Sequence, residues 1–170
     1  MNQIIEQIKT IENLIESDPQ NFINYFNLGN IYRKLRKYDL SLKNFLKSVE
    51  LNKEFYQGYN NLANIYKELK NVENSIKFFK KAIEINPNYI SALYNLGIVY
   101  SEIGEYQESG AYFKRILKID PNHVATLNNF GLLLKNIREY EAAIKCFEKI
   151  IHIDGHFSKA YNNIGTIALE

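Results

Sequence analysis

Residues 56–89 read YQGYNNLANIYKELKNVENSIKFFKKAIEINPNY, and the sequence on both sides repeats the pattern of this stretch in register. The period is thirty-four residues. Internal repeats of about 20–50 residues indicate stacked supersecondary units rather than one globular core. Full copies begin at Phe22, Tyr56, Ile90 and Val124, and Ser158 begins a fifth copy. Positions within each copy are numbered here from 1 to 34.

The copies share small and aromatic residues at fixed positions. Position 8 is small in all copies: Gly29, Ala63, Gly97, Gly131 and Gly165. Position 20 is small as well: Ser41, Ser75, Ser109 and Ala143. Position 24 is always phenylalanine: Phe45, Phe79, Phe113 and Phe147. With bulky residues at positions 4, 7 and 11, and proline at position 32 in two copies, the pattern resembles the tetratricopeptide repeat.

The resemblance covers nearly the whole chain and implies an all-α fold, a right-handed α-solenoid of stacked helix–turn–helix units. We expect an N-terminal helix in residues 1–21 that acts as a half-repeat and cap. Four full repeats follow, at 22–55, 56–89, 90–123 and 124–157. Residues 158–170 are expected to be the first helix of a fifth, incomplete repeat, which gives about ten helices and no strand.

The spacing of apolar residues supports the same fold. On a helical wheel, positions 4, 7, 8, 10, 11 and 14 form one broad apolar arc, and positions 2, 5, 6, 9, 12 and 13 lie opposite. The small residues at positions 8 and 20 allow two helix backbones to approach closely. Pro87 and Pro121 stand where the second helix must end. Lys53 and Gly155 replace this proline in the other copies, and we expect Gly155 to end its helix with a left-handed cap.

Composition and charge exclude several classes of protein. The net charge of +2 and the pI near 8.5 are too balanced to indicate nucleic-acid binding. No apolar run approaches the ~18 residues of a membrane span. A single cysteine, Cys146, excludes an internal disulfide framework and fits a reducing compartment, so we expect a cytoplasmic protein that binds neither nucleic acid nor membrane.

The sequence offers little that could support catalysis. His152 and His156 are four residues apart, but Gly155 interrupts the helix and no third metal ligand is apparent. Cys146 has no neighbouring histidine or second cysteine, and no phosphate-binding or nucleophile motif is present. We therefore expect no catalytic residue, no metal, no cofactor and no enzyme activity.

The polar arc of the first helices is the candidate binding surface. Position 6 is asparagine in every copy: Asn27, Asn61, Asn95, Asn129 and Asn163. Position 9 adds Asn30 and Asn64, and position 5 adds Asn60, Asn128 and Asn162. Position 12 adds the basic residues Arg33, Lys67 and Lys135. Asparagine is a poor helix former, so a face free to vary would carry alanine, glutamate or lysine instead. Its amide both donates and accepts hydrogen bonds, which suits the main chain of an extended peptide.

The motifs NLGN at 27–30 and NNLAN at 60–64 resemble repeats of O-linked N-acetylglucosamine transferases, whose groove asparagines hold extended peptide. The resemblance implies a non-catalytic protein–protein interaction scaffold with a concave, asparagine-lined groove. One alternative is a regulatory or oligomerisation arm of a larger enzyme such as a glycosyltransferase. Another is the carboxylate clamp of chaperone adaptors, which Asn30 and Asn61 match. Phe26, Ser91 and Asn95, however, occupy positions where that clamp is basic.

A further expectation concerns the C-terminal helix. Ile164, Ile167 and Ala168 continue the apolar arc, but no second helix follows to cover them. Terminal repeats of solenoids need a polar outer face for solubility. We expect the natural chain to continue past Glu170 or, in the fragment, weak end-to-end self-association.

Overall fold

The computed structural model describes residues 2–169. Over these residues the chain forms ten α-helices and no strand, which confirms the predicted helix count. The helices are α1 (Asn2–Ser17), α2 (Phe22–Lys34), α3 (Tyr38–Leu51), α4 (Tyr56–Glu68), α5 (Val72–Ile85), α6 (Ile90–Glu102), α7 (Tyr106–Ile119), α8 (Val124–Asn136), α9 (Tyr140–Ile153) and α10 (Ser158–Ile167).

The chain divides into two compact units, Met1–Ala92 and Leu93–Glu170. In the first unit α2 pairs with α3 and α4 with α5, while α1 packs on α2 and α3 on α4. In the second unit α8 pairs with α9, α7 packs on α8, and α10 packs on α9. Turns of only three residues join the helices of a pair, which makes them antiparallel neighbours. Each pair lies within one predicted repeat, and the repeat boundaries themselves stay a prediction.

A phenylalanine at position 24 forms the centre of each pair. Phe45, Phe79, Phe113 and Phe147 are all 0% exposed. A Cβ atom added at Gly29 would lie 2.8 Å from the Phe45 ring, and one at Gly131 would lie 2.7 Å from Phe147. In these copies the glycine at position 8 is explained by the close approach of the helix backbone to this ring.

In two of the helix pairs, the serine at position 20 forms a buried hydrogen bond that joins the two helices of the pair. The Ser41 hydroxyl donates to the Gly29 carbonyl at 2.9 Å, and the Ser109 hydroxyl donates to the Gly97 carbonyl at 2.8 Å. The equivalent hydroxyl of Ser75 is buried without a hydrogen-bond partner. In that pair position 8 is Ala63 rather than glycine.

The turn inside each pair has a left-handed residue at position 15. These residues are Arg36 (φ 57°), Lys70 (φ 60°), Gly104 (φ 83°) and Arg138 (φ 64°). Only glycine adopts this region without a steric cost, so three of the four turns hold a backbone strain of ~1–2 kcal/mol.

The second helices end at an asparagine or aspartate of position 31, which the sequence analysis did not single out. A side-chain oxygen of this residue accepts a hydrogen bond from the N–H two residues later, and α1 ends the same way at Asp18. The five bonds are Gln20 to Asp18 (3.2 Å), Glu54 to Asn52 (3.0 Å), Asn88 to Asn86 (3.2 Å), Asn122 to Asp120 (3.0 Å) and His156 to Asp154 (3.0 Å).

This turn explains why proline can be replaced at position 32. Asp154 caps α9 with an extended backbone (φ −138°), and Gly155 is not among the residues of positive φ. The prediction of a left-handed cap at Gly155 is therefore wrong. The helix ends instead at Asp154, the residue before Gly155. The carboxylate of Asp154 accepts a backbone hydrogen bond in an Asx turn, as asparagine and aspartate side chains commonly do.

Candidate functional site: the polar surface of the first helices

The ten predicted site residues lie on α2, α4, α6, α8 and α10 and define what we call the first-helix surface. Asn27 is exposed, and the other nine are half-buried. Those nine are Asn30, Arg33, Asn61, Asn64, Lys67, Asn95, Asn129, Lys135 and Asn163. Each unit contributes its own part, with six of the ten residues in Met1–Ala92.

In the first unit, a hydrogen bond links two of the asparagines. The Asn61 Nδ2 atom on α4 donates to Asn30 Oδ1 on α2 at 2.9 Å. This bond corrects the expectation that all asparagine amides are available to a partner. The Nδ2 donor of Asn30 takes no part in this bond. Asn27 and Asn64 flank the pair, and no described residue hydrogen-bonds their side chains.

On α4 and α8 position 5 does not belong to the polar surface, which corrects the helical-wheel assignment there, whereas Asn162 at the same position of α10 is exposed. Asn60 is only 6% exposed, and Phe26 packs against the core cluster that contains Phe45 and Leu62. Asn128 holds a buried side-chain oxygen that has no hydrogen-bond partner. The first helix contacts both its own partner and a neighbouring pair, so the exposed strip is narrower than one half of the wheel.

In the second unit, position 6 also bonds to the preceding first helix, but to a different residue. The Asn129 Nδ2 atom donates to the hydroxyl of Tyr94 at 2.6 Å. Burial raises the pKa of Tyr94, and the bond from Asn129 opposes that shift. Lys135 donates to the Thr166 hydroxyl on α10 at 2.8 Å. Bonds between neighbouring first helices therefore occur in both units.

A basic recess of about 520 Å³ lies beside Asn30 in the first unit. Arg33 Nη2 and Nε both donate to Glu68 Oε1, at 2.7 and 2.9 Å. The interaction of the Tyr38 hydroxyl with the Glu68 carboxylate is the first cause of the raised pKa of that phenol. Because Arg33 is paired, the net positive charge of the recess comes from Lys34 and Arg36.

Lys34, Arg36 and Glu68 were not among the residues predicted for the site. The sequence does contain a signal for the ion pair. Arg33 and Glu68 have opposite charges and are thirty-five residues apart, which is one repeat plus one position.

A second recess, of about 600 Å³, is formed by α1 and α2. Glu6, Gln7 and Thr10 of α1 line it together with Asn27 and Asn30 of α2. The N-terminal helix was predicted only as a cap. The structure shows that it also borders the first-helix surface.

The residues considered for chemistry are dispersed. His152 and His156 are both exposed, and Asp154 Oδ1 accepts the backbone N–H of His156. Burial raises the pKa of the Cys146 thiol, and Lys149 opposes this shift. No group of three or more metal-ligating side chains occurs among the described residues. Within the same residues, no helix is long and apolar enough to cross a bilayer.

Helix pairs of thirty-four-residue period, three of them with a close glycine–phenylalanine contact between their two helices, define a helical repeat protein of the solenoid class. Tetratricopeptide repeat family models match residues 54–122 and 89–154, and a further one matches residues 10–43. The first two ranges span more than half of the 170 residues. The chain belongs to the tetratricopeptide repeat family. No curated protein sequence matches it significantly.

Solved structures show the same fold at low sequence identity. The crystal structure of MamA is 21% identical, with a TM-score of 0.80 over 99% of this chain and 93% of that chain. YrrB, described as a tetratricopeptide repeat protein with an unusual peptide-binding site, is 20% identical, with a TM-score of 0.78 over 95% of this chain and 83% of that one. A tetratricopeptide repeat protein from Parabacteroides merdae is 19% identical, with a TM-score of 0.85 over 99% of this chain and 67% of that one. The predicted all-α solenoid class is confirmed, and this fold is in general a scaffold for protein–protein interaction.

Proposed function

We propose that the chain binds an extended segment of a partner protein on the first-helix surface, mainly through the main chain of that segment. The observation that carries the proposal is the arrangement of asparagines in the first unit. Asn27, Asn30, Asn61 and Asn64 all reach the surface of two neighbouring helices, at positions where alanine would favour the helix more.

The bond between Asn61 and Asn30 prepares this surface for a ligand. It fixes the orientation of both amides before a peptide arrives, so less side-chain freedom is lost on binding. Asn30 Nδ2 can then donate to a peptide carbonyl, and Asn27 and Asn64 can each donate and accept. Hydrogen bonds to main-chain groups carry little sequence preference.

The affinity should be modest. Each hydrogen bond contributes only about 0.5–1.5 kcal/mol net, so several are needed for micromolar binding. Lys34 and Arg36 beside the basic recess favour peptides with an acidic residue at one end. The carboxylate-clamp alternative is disfavoured because Phe26, Ser91 and Asn95 occupy positions where that clamp is basic.

A peptide array tests the proposal. Unstructured twelve-residue peptides of varied sequence are screened, and the affinity of the selected binder is measured by titration calorimetry. Methylation of alternate backbone nitrogens of this peptide removes its N–H donors and should weaken binding by about tenfold or more. Replacing its side chains one at a time with alanine should change the affinity by less.

The protein variants use one matched control. Replacing Asn27 and Asn64 together with alanine should weaken the same peptide by about tenfold. Asn74→Ala, on α5, removes a half-buried asparagine of the same unit outside the first-helix surface and should leave the affinity unchanged. The proposal is refuted if the methylated peptide binds as well as its parent, or if the double variant binds like Asn74→Ala.

A further inference from the structure

The contact between α7 and α8 lacks a side chain that the other repeats supply. Repeat position 21 is apolar and large in three copies and glycine in one: Leu42, Ile76, Gly110 and Ile144. Leu42 packs against the cluster of Phe45, Val49, Leu62 and Ile65, which joins α3 to α4. Gly110 occupies the equivalent position on α7, facing α8.

A cavity of about 850 Å³ lies at this contact, within the second unit. Its apolar wall is formed by Phe130, Leu133 and Leu134 of α8 and by Ile137, which follows that helix. Tyr106 and Ala111 of α7 stand opposite. Phe130 is 8% exposed, whereas Leu62 at the same repeat position is 0% exposed. The larger phenylalanine ring therefore does not close the space that Gly110 leaves.

Packing does not require a glycine at this position. A Cβ atom added at Gly110 would meet only Phe130 Cε2, at 3.7 Å, which is an ordinary van der Waals contact. At Gly97, by contrast, the added atom would lie 2.7 Å from the Phe113 ring. Gly110 also lies inside α7, where glycine disfavours the helix, and it does not have a positive φ. Its structural effect is the open cavity.

The rim of the cavity is charged at two places. Glu105 and Glu108 stand at the beginning of α7, and Lys114 stands further along the helix with its Nζ atom 5.9 Å from the centre of the Phe130 ring. Ala111 replaces the lysine that the other copies carry at position 22, so no long cation covers the entrance there. An occupant with a positive charge near the two carboxylates would be complementary to this rim.

We propose that the cavity between α7 and α8 binds a partner peptide that presents a large apolar side chain next to a lysine or arginine. The apolar side chain fills the space that a leucine or isoleucine occupies in the other repeats, and the basic residue contacts Glu105 and Glu108. None of the lining residues belongs to the first-helix surface, so the site is separate from the one proposed above.

A tryptophan peptide gives a direct test because the chain itself contains no tryptophan. The probe is an acetylated and amidated Gly-Ser-Lys-Trp-Lys-Ser-Gly peptide, and its emission is followed on titration with protein. We expect a saturable shift of the emission to shorter wavelength. A probe with glutamate in place of both lysines should bind about tenfold more weakly, and Glu108→Lys should reverse this preference.

Two substitutions at one position separate cavity filling from general disturbance. Gly110→Leu places the side chain of the other repeats in the cavity, and it should raise the melting temperature while weakening the lysine probe by about tenfold or more. Gly110→Ala fits without contact strain, leaves most of the space open, and should bind the probe like the parent.

The proposal is overturned if the emission does not shift, if Gly110→Leu binds the probe as tightly as Gly110→Ala, or if the glutamate probe binds equally well. The variant with alanine at Asn27 and Asn64 should bind the lysine probe normally. Loss of binding in that variant would place the probe on the first-helix surface and would also overturn the assignment.

Discussion

Replacing the serines of position 20 with alanine should have opposite effects in two otherwise equivalent helix pairs. Ser41 and Ser75 lie in the same unit and are both 0% exposed. Ser41 donates to the Gly29 carbonyl at 2.9 Å, whereas the Ser75 hydroxyl has no partner. The same chemical change therefore removes a hydrogen bond in one pair and an unsatisfied polar group in the other.

The magnitudes follow from these environments. Ser41→Ala loses a net hydrogen bond worth ~1 kcal/mol and gains ~0.5 kcal/mol of helix propensity, so the free energy of unfolding should fall by about 0.5 kcal/mol. Ser75→Ala gains the same propensity and relieves a buried hydroxyl that costs ~1–2 kcal/mol, so stability should rise by about 1.5–2.5 kcal/mol. The two variants should differ by about 2 kcal/mol or more.

Urea unfolding followed by circular dichroism measures this difference. The urea midpoints should be compared together with the m-values, because repeat proteins do not always unfold in one cooperative step. Ser109→Ala, which loses the bond to Gly97 at 2.8 Å, serves as a second example of the destabilising case. A Ser75→Ala variant no more stable than Ser41→Ala would refute the reasoning.

Three further predictions concern a turn, the thiol and the C-terminus. Lys70→Gly removes the backbone strain of the left-handed turn residue (φ 60°) and should stabilise the chain by ~0.5 kcal/mol after the entropy cost of glycine is subtracted. In the same urea assay, Lys77→Gly inside α5 should destabilise the chain by ~1 kcal/mol. Burial raises the pKa of the Cys146 thiol. The folded chain should therefore react with a thiol reagent at pH 8 more slowly than the urea-unfolded chain. The free energy of unfolding should also fall as the pH rises from the pKa of the unfolded thiol through that of the folded one. Ile167, which was expected to lie uncovered, is only 6% exposed, which corrects that expectation. Tyr161 and Leu169 are instead 52% and 89% exposed near the C-terminus, so sedimentation should detect weak self-association that a Tyr161→Lys, Leu169→Lys variant loses. A parent that stays monomeric at millimolar concentration would contradict this.

The fold could be predicted from the sequence because its main determinants recur at fixed spacing. Glycine at position 8 and phenylalanine at position 24 report a close contact between two helices, and the structure shows a Cβ at Gly97 would be 2.7 Å from Phe113. The end of the second helix was assigned to proline or glycine at position 32. Its physical cause is the oxygen of the preceding residue, as at Asp154, and that signal was equally periodic but was not used.

The polar face of the first helices could be predicted from the sequence, but its contacts could not. The periodicity brings the position-6 asparagines to one side of each first helix. It does not show that Asn61 bonds Asn30 or that Asn129 bonds Tyr94, because those contacts depend on the offset between neighbouring helices. Gly110 is visible in the sequence as a missing side chain at position 21. Its consequence depends on the size of Phe130 across the contact, which only the structure supplies.

Because an Asx turn ends each second helix, the interactions that begin and end the helices of a repeat lie within that repeat. In residues 22–55, the helix stop at Asn52, the turn at Arg36 and the bond from Ser41 to Gly29 are all satisfied inside one period. A gene duplication or deletion of thirty-four codons would leave each of these interactions intact. What it would change is the lateral partner of each first helix, such as the one that Asn61 finds in Asn30. Recombination can therefore lengthen or shorten the array, while mutation at the few lateral positions changes the contacts between neighbouring first helices.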